Sequence, residues 1–278
     1  MMRIAYSNIA WDVAEDAAVA ELLGHHGVDA IDIAPGKYFP DPERATPEDA
    51  ARVAAVWAAR GIEITGMQAL LFGTSGLNMF GSAAVQQAML QRLAAVCRVA
   101  GWLRAPRLVF GSPKNRDRSG LDDATTRAMA TDFFRRLGDV AAEHGVLICL
   151  EPNPECYGCN FMTGTAETAA VVRQVAHPHI RLQLDTGAVT IQREDIDTLL
   201  REHAELVGHI HLSEPDLLPL GDGGCDHGAM AAALARHLPG HLASIEMRAT
   251  ENEAHPVSMA RALAVAVSRY RSHRGEPA

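Results

Sequence analysis

Short apolar runs alternate along the chain with longer stretches in which apolar positions recur at helical spacing. The runs fall near 3–7, 28–33, 62–67, 107–111, 146–151, 180–185, 207–212 and 242–247. Runs of this length, rich in Val, Ile and Leu and bounded by polar residues, predict buried strands. The stretches near 14–26, 47–60, 83–104, 122–144, 165–176, 194–203, 227–238 and 256–272 predict helices. Val85, Met89, Leu93, Cys97 and Ala100, for example, share one helical face. Three junctions repeat a form: His26-Gly27 before Val28–Ile33, Arg60-Gly61 before Ile62–Gly66, and His144-Gly145 before Val146–Leu150. Glycine there can take the left-handed conformation that closes a helix before the chain turns into a strand. Thr46-Pro47-Glu48-Asp49 carries a helix start: a capping hydroxyl, proline at the first position, and acids at the positive end of the dipole.

Eight strand-then-helix alternations predict a parallel sheet, and eight units in 278 residues match the size of a closed (β/α)8 barrel. The expected fold class is therefore α/β, a single barrel domain over residues 1–278, since no linker rich in Pro, Gly or Ser divides the chain. A doubly wound open sheet would want a glycine-rich phosphate loop after an early strand, and none is present.

Charge narrows the partners. Lys and Arg number 25 against 34 Asp and Glu, a formal balance of −9, with no basic stripe, so no nucleic-acid partner is expected. The chain has no run of about 18 apolar residues that would span a membrane. Met1 to Ser7 contains one basic residue and no apolar block, unlike a signal peptide. Five cysteines, at 97, 149, 156, 159 and 225, are an odd number in a long chain, which fits a reducing cytoplasm. Cys156-Tyr157-Gly158-Cys159 lacks the second pair of a structural zinc site and reads as incidental loop thiols.

In a barrel of this type chemistry sits at the carboxyl ends of the strands. The last four strands each end on a metal-ligand type: Glu151, Asp185, His211 and Glu246. A single acid at a strand end is ordinarily a cap or a solvated loop start. Carboxylates converging from consecutive strands would repel one another unless a cation or shared protons compensated. One imidazole and three carboxylates suit one divalent ion such as Mn²⁺, Mg²⁺, Co²⁺ or Zn²⁺. His209, two residues before His211, is read as an interior histidine. Candidate substrate contacts lie just past strand ends: Lys114 with Arg116, Asn153, Glu155, Gln68, Glu214 and Arg248. Asp226-His227 before an Ala-rich helix reads as a helix cap.

The ordered motifs Glu151-Pro152-Asn153, Leu184-Asp185-Thr186-Gly187, His209-Ile210-His211 and Ile245-Glu246-Met247-Arg248, with ligand spacings of 34, 26 and 35 residues, resemble the xylose isomerase-like TIM-barrel superfamily. The likeness is to its sugar isomerase/epimerase branch, with ketose 3-epimerases and hydroxypyruvate isomerases. It implies one divalent metal, commonly Mn²⁺, held by Glu151, Asp185, His211 and Glu246, with Glu151 and Glu246 as the catalytic acid/base pair. It also implies a dimer or tetramer and a small sugar or keto-acid substrate. Such groups suit removal of a proton beside a carbonyl, the cation stabilising an enediolate. Dehydration of a keto sugar or cyclitol would use the same chemistry. Many relatives carry His where this chain has Ala188. The endonuclease IV branch also needs histidines where Gln68 and Gly111-Ser112-Pro113-Lys114 stand, which weakens a nuclease reading; a noncatalytic partner subunit is the remaining alternative.

Overall fold

The computed structural model describes residues 2–271. Eight strands run parallel in chain order and close into a barrel: β1 (Arg3–Ser7), β2 (Ala30–Ile33), β3 (Glu63–Met67), β4 (Arg107–Phe110), β5 (Leu147–Leu150), β6 (Ile180–Asp185), β7 (Val207–Ser213) and β8 (Leu242–Glu246). β8 returns to β1 with Arg3 opposite Leu242 and Tyr6 opposite Ile245. The expected (β/α)8 barrel is what forms. Ten helices lie among the described residues: α1 (Asp16–His25), α2 (Pro35–Tyr38), α3 (Pro47–Ala58), α4 (Ala83–Leu103), α5 (Asp123–Glu143), α6 (Thr165–Val175), α7 (Thr186–Gln192), α8 (Ile196–His203), α9 (His227–His237) and α10 (His255–Ala266). A π-helical turn over Val267–Arg271 follows α10. Residue 272 of the expected last helix, and Met1 and 272–278 of the expected domain, lie outside the described residues.

The junction glycines behave as their positions require, with φ of 63° at Gly27, 72° at Gly61 and 67° at Gly145. Thr46 and Asp49 form the capping box at the start of α3. The short helices α2 and α7 have no counterpart in the periodicity, being shorter than two apolar repeats. Pro35 starts the first, and the Asp185 side chain caps the second by accepting from Ala188 N. Sequence reading carried several strands one residue too far, so Glu151 stands just beyond β5.

Parallel strands are covered on both faces, which explains their nearly continuous apolar runs. Ile31, Ile33, Ile210, Leu212 and Ile245 are fully buried, each worth about 2 kcal/mol relative to exposure. Their neighbours one position along the strand turn to the other face and form a polar layer. Asp32 Oδ2 lies 2.7 Å from His209 Nε2, and Thr65 Oγ1 donates to Asp32 Oδ1 at 3.0 Å. Burial keeps the His209 pKa below its usual value, while His209 holds Asp32 low despite burial. The result is a neutral imidazole donating to a carboxylate, and His209 is interior as expected. No helix among the described residues is long and apolar enough to cross a membrane.

Candidate active site

The four expected ligand types meet at the carboxyl end of the barrel. Glu151, Asp185, His211 and Glu246 each bring a ligand atom within 4.8 Å of the others. Strand register does this: Asp185 of β6 pairs with His211 of β7, and Ser213 of β7 with Glu246 of β8. His211 Nδ1 lies 3.2 Å from Glu151 Oε1 and 3.1 Å from Glu246 Oε2. Burial opposes charge on His211, yet Glu246 and Glu151 outweigh it and raise its pKa well above the usual value. Burial, with the negative charges of Glu151 and Glu246, pushes Asp185 up to about 7. Burial would also raise Glu246, but His211 and the Gln68 amide hold it below the ordinary carboxylate value. Protons shared among such groups are what a divalent ion displaces. Glu151 Oε1 is buried and accepts no hydrogen bond. That free lone pair, with two further carboxylates and an imidazole, fits a divalent ion.

Neighbouring groups fix each carboxylate. Asp185 Oδ2 accepts from Ser213 Oγ and its Oδ1 from Ala188 N, both at 2.6 Å. Gln68 Nε2 donates to Glu246 Oε1 at 2.5 Å. Asn153 Nδ2 donates to Gly111 O at 2.8 Å and to Glu151 Oε2 at 3.3 Å. A Cβ at Gly111 would lie 1.9 Å from Glu151 Oε2, so glycine there is what admits the Glu151 carboxylate.

The structure brings Gln68 and Asn153 to the site, where their amides serve the glutamates. Arg116, read from sequence as a loop cation, is instead completely buried and donates to Glu151 O at 2.7 Å and Gly111 O at 3.2 Å. Its charge is spent holding the chain at β4 and β5 rather than reaching out. Lys114 is exposed on the rim, and Pro113 rather than Lys114 lines the cleft. Glu155 is exposed and outside the lining, which passes through Pro154 and Tyr157. Arg248 does line the cleft. Glu214 lines it too, but its carboxylate accepts from Gly221 N at 2.7 Å and Cys225 N at 2.9 Å and meets His227 Nε2 at 2.9 Å. Those donors outweigh burial and bring its pKa down to about 2. Sequence reading missed Tyr157 and Asp216, both in the lining of the cleft of about 320 Å³; Pro215-Asp216 is a turn signal that gives no address.

Other groupings of titratable side chains are closed by internal hydrogen bonds. Beside the Asp32–His209 pair, His227 Nδ1 lies 2.6 Å from Tyr270 OH while its other nitrogen meets Glu214. His255 Nδ1 lies 2.6 Å from Glu15 Oε2 on the outside of the barrel. Asp226 caps α9, as read from sequence, by accepting from Ala229 N. Cys156 is exposed and Cys159 buried, both free thiols, with Cys159 Sγ 3.1 Å from Phe161 O.

Comparison with known proteins bears on this arrangement. A family model described as "Xylose isomerase-like TIM barrel" matches residues 20–265. A curated D-psicose 3-epimerase of Enterocloster bolteae is 27% identical over 121 residues, 43% of this chain and 38% of that protein. The aligned part thus spans well under half of that relative. Among solved structures, a D-psicose 3-epimerase with D-tagatose from Clostridium cellulolyticum H10 superposes with a TM-score of 0.79 at 17% identity, covering 97% of this chain and 99% of the other. A 3-keto-D-glucoside 4-epimerase from E. coli gives 0.80 at 17% identity over 95% and 98%. The IOLI protein with a bound zinc atom gives 0.76 at 17% identity over 99% and 100%. At such identities the likeness is one of fold.

Proposed function

The chain belongs to the xylose isomerase-like TIM-barrel family, and from that premise we propose that it is a divalent-metal-dependent sugar isomerase or epimerase. The observation that carries this reading is the convergence of Glu151, just past β5, and Glu246, at the end of β8, on one buried imidazole, with carboxylate oxygens 3.2 Å and 3.1 Å from His211 Nδ1. Glu151, Asp185, His211 and Glu246 would hold the ion, with Mn²⁺ the ion of choice. When bound, it supplies Lewis-acid stabilisation of negative charge developing on the substrate oxygens next to the reacting carbon.

The chain's own groups do the rest. One of Glu151 and Glu246 takes a proton from the carbon beside the carbonyl. The other returns a proton to the opposite face of that carbon for epimerisation, or to the adjacent carbon for isomerisation. Gln68 and Asn153 hold these carboxylates in position by hydrogen bonds at 2.5 and 3.3 Å. Ser213 and the start of α7 fix Asp185. The partial curated relative is named a D-psicose 3-epimerase, and a small keto sugar, handled in the cytoplasm, is the substrate class proposed here.

The test is isotopic. Mn²⁺-loaded protein in D₂O should place deuterium at the carbon beside the ketone of a turned-over sugar. Glu246→Gln and Glu151→Gln keep size but cannot act as a base at neutral pH. Each should lose wash-in by about 10²-fold or more. Wash-in at the wild-type rate in both variants would sink the two-glutamate mechanism.

A further inference from the structure

One wall of the cleft is a turn that the backbone adopts at a cost. Asp216 and Leu217 both have positive φ, 60° and 54°, a strained conformation for residues other than glycine. Asp tolerates it better than most residues, and Leu does not. Such a turn persists only where its surroundings over-determine it, and here three anchors do. Asp216 N donates to Tyr157 OH at 2.7 Å, bridging to the loop after β5. Leu217 O accepts from Arg248 N at 2.9 Å, tying the turn to the segment after β8. Glu214, just ahead of the turn, is locked by Gly221 N, Cys225 N and His227, and His227 in turn by Tyr270. The loop folds so closely over Glu214 that a Cβ at Gly223 would lie 2.7 Å from Glu214 Cβ.

What these anchors present is a carboxylate. Asp216 is exposed and lines the same cleft as Glu151, Asp185 and Glu246. It is outside the group of four ligand residues. Its backbone N–H is engaged with Tyr157, and among the described residues its carboxylate has no hydrogen-bond or ion-pair partner. The lining residues include one cation, Arg248, against Glu151, Asp185, Glu214, Asp216 and Glu246.

We infer that Asp216 is a specificity-determining residue that reads hydroxyl groups on the end of the substrate remote from the reacting carbon, and that it disfavours substrates carrying phosphate or carboxylate there. This rests on the keto-sugar reading of the site. An ionised carboxylate is an acceptor only. Sugar hydroxyls donate to it, while a phosphate offers it no proton and a like charge. The anchored turn fixes the Asp216 backbone before substrate arrives, so that only the side-chain torsions remain to be ordered on binding.

The experiment measures equilibrium binding of D-fructose and of D-fructose 6-phosphate to the Mn²⁺-loaded protein by calorimetry. Wild type should bind the free sugar about tenfold or more tighter than the phosphate ester. Asp216→Asn preserves size and tolerance of positive φ but loses the charge and one acceptor. It should weaken fructose binding about tenfold and narrow the gap between the two sugars, with metal content unchanged. Tyr157→Phe, which removes one of the three anchors and leaves the carboxylate, should weaken fructose binding in the same direction. Where turnover is measured, KM should carry the change and kcat stay within about threefold. Equal affinity for the two sugars in wild type, no binding of fructose, or an Asp216→Asn variant that binds like wild type would each overturn the inference. Selective binding without deuterium wash-in into any sugar would fail the isomerase reading and leave this one standing; wash-in without selectivity would do the reverse.

Discussion

His211 and Asp185 both hold protons more tightly in the fold than their ordinary values, His211 rising well above 6.5 and Asp185 from 3.8 to about 7. The folded protein therefore binds more protons at these groups than the unfolded chain does. Stability from Asp185 is complete below about 3.8 and lost as pH rises towards about 7. Stability from His211 is complete below about 6.5 and lost as pH rises through its raised value. Metal-free protein should accordingly melt at lower temperature as pH goes from about 5 to about 8. With saturating Mn²⁺ the trend should reverse, because the ion no longer competes with protons. Thermal denaturation with and without chelator checks both; a metal-free melting temperature that climbs over this range would contradict the assignment. Gly111 gives a second prediction, since a methyl group there would sit 1.9 Å from Glu151 Oε2. Gly111→Ala should cost about 1–3 kcal/mol by overpacking and, by displacing Glu151, reduce deuterium wash-in about 10²-fold. The cluster of Glu151, Asp185, His211 and Glu246 was legible because each lies at or near the end of an apolar run, where strand period fixes the direction of the side chain. Arg116 was not, because its burial depends on a loop returning beneath the carbonyls of Gly111 and Glu151, which no local pattern encodes.

At the scale of elements, the segment from β7 to α9 is organised around the Glu214 carboxylate. Its pKa is depressed from 4.5 to about 2, so its contribution is present above about 4.5 and lost as pH falls towards about 2. Glu214→Gln should lower stability at neutral pH by about 2 kcal/mol, the size of lost charge-assisted hydrogen bonds. The difference in melting temperature from wild type should shrink as pH is lowered from about 6 to about 3. A difference independent of pH would mean that shape, not charge, holds the loop. The periodicity located β7 and α9 to within a residue. It said nothing of the path between them, because a loop's course is set by a few buried polar contacts rather than by repeating apolar positions. Glu214, placed by sequence as a substrate contact, shows this: its position at the cleft was right, and the direction of its carboxylate depends on backbone donors seven and eleven residues later.

The whole molecule was the most legible level, since eight repeats of one strand-and-helix unit leave few ways to bury parallel strands on both faces. The cluster of Glu151, Asp185, His211 and Glu246 at the mouth predicts one divalent ion per chain, to be counted by elemental analysis; two or three tightly held ions would contradict it. Phe72, Tyr157 and Leu218, 81, 37 and 42% exposed, sit on separate loops following β3, β5 and β7; singly scattered apolar side chains are ordinary on a surface, so the proposed dimer or tetramer rests on the family resemblance. Light scattering would return a monomer mass if that proposal is wrong. The closure of β8 onto β1, with Arg3 opposite Leu242, has a consequence for synthesis. All four proposed ligand residues lie in the second half of the chain, and Glu246 ends the last strand. A nascent chain emerging from the ribosome can build most of the sheet with no complete cage for an ion. On the proposed metal reading, capture of the ion would wait until the barrel has shut, and an incomplete chain would offer it only a half-made site.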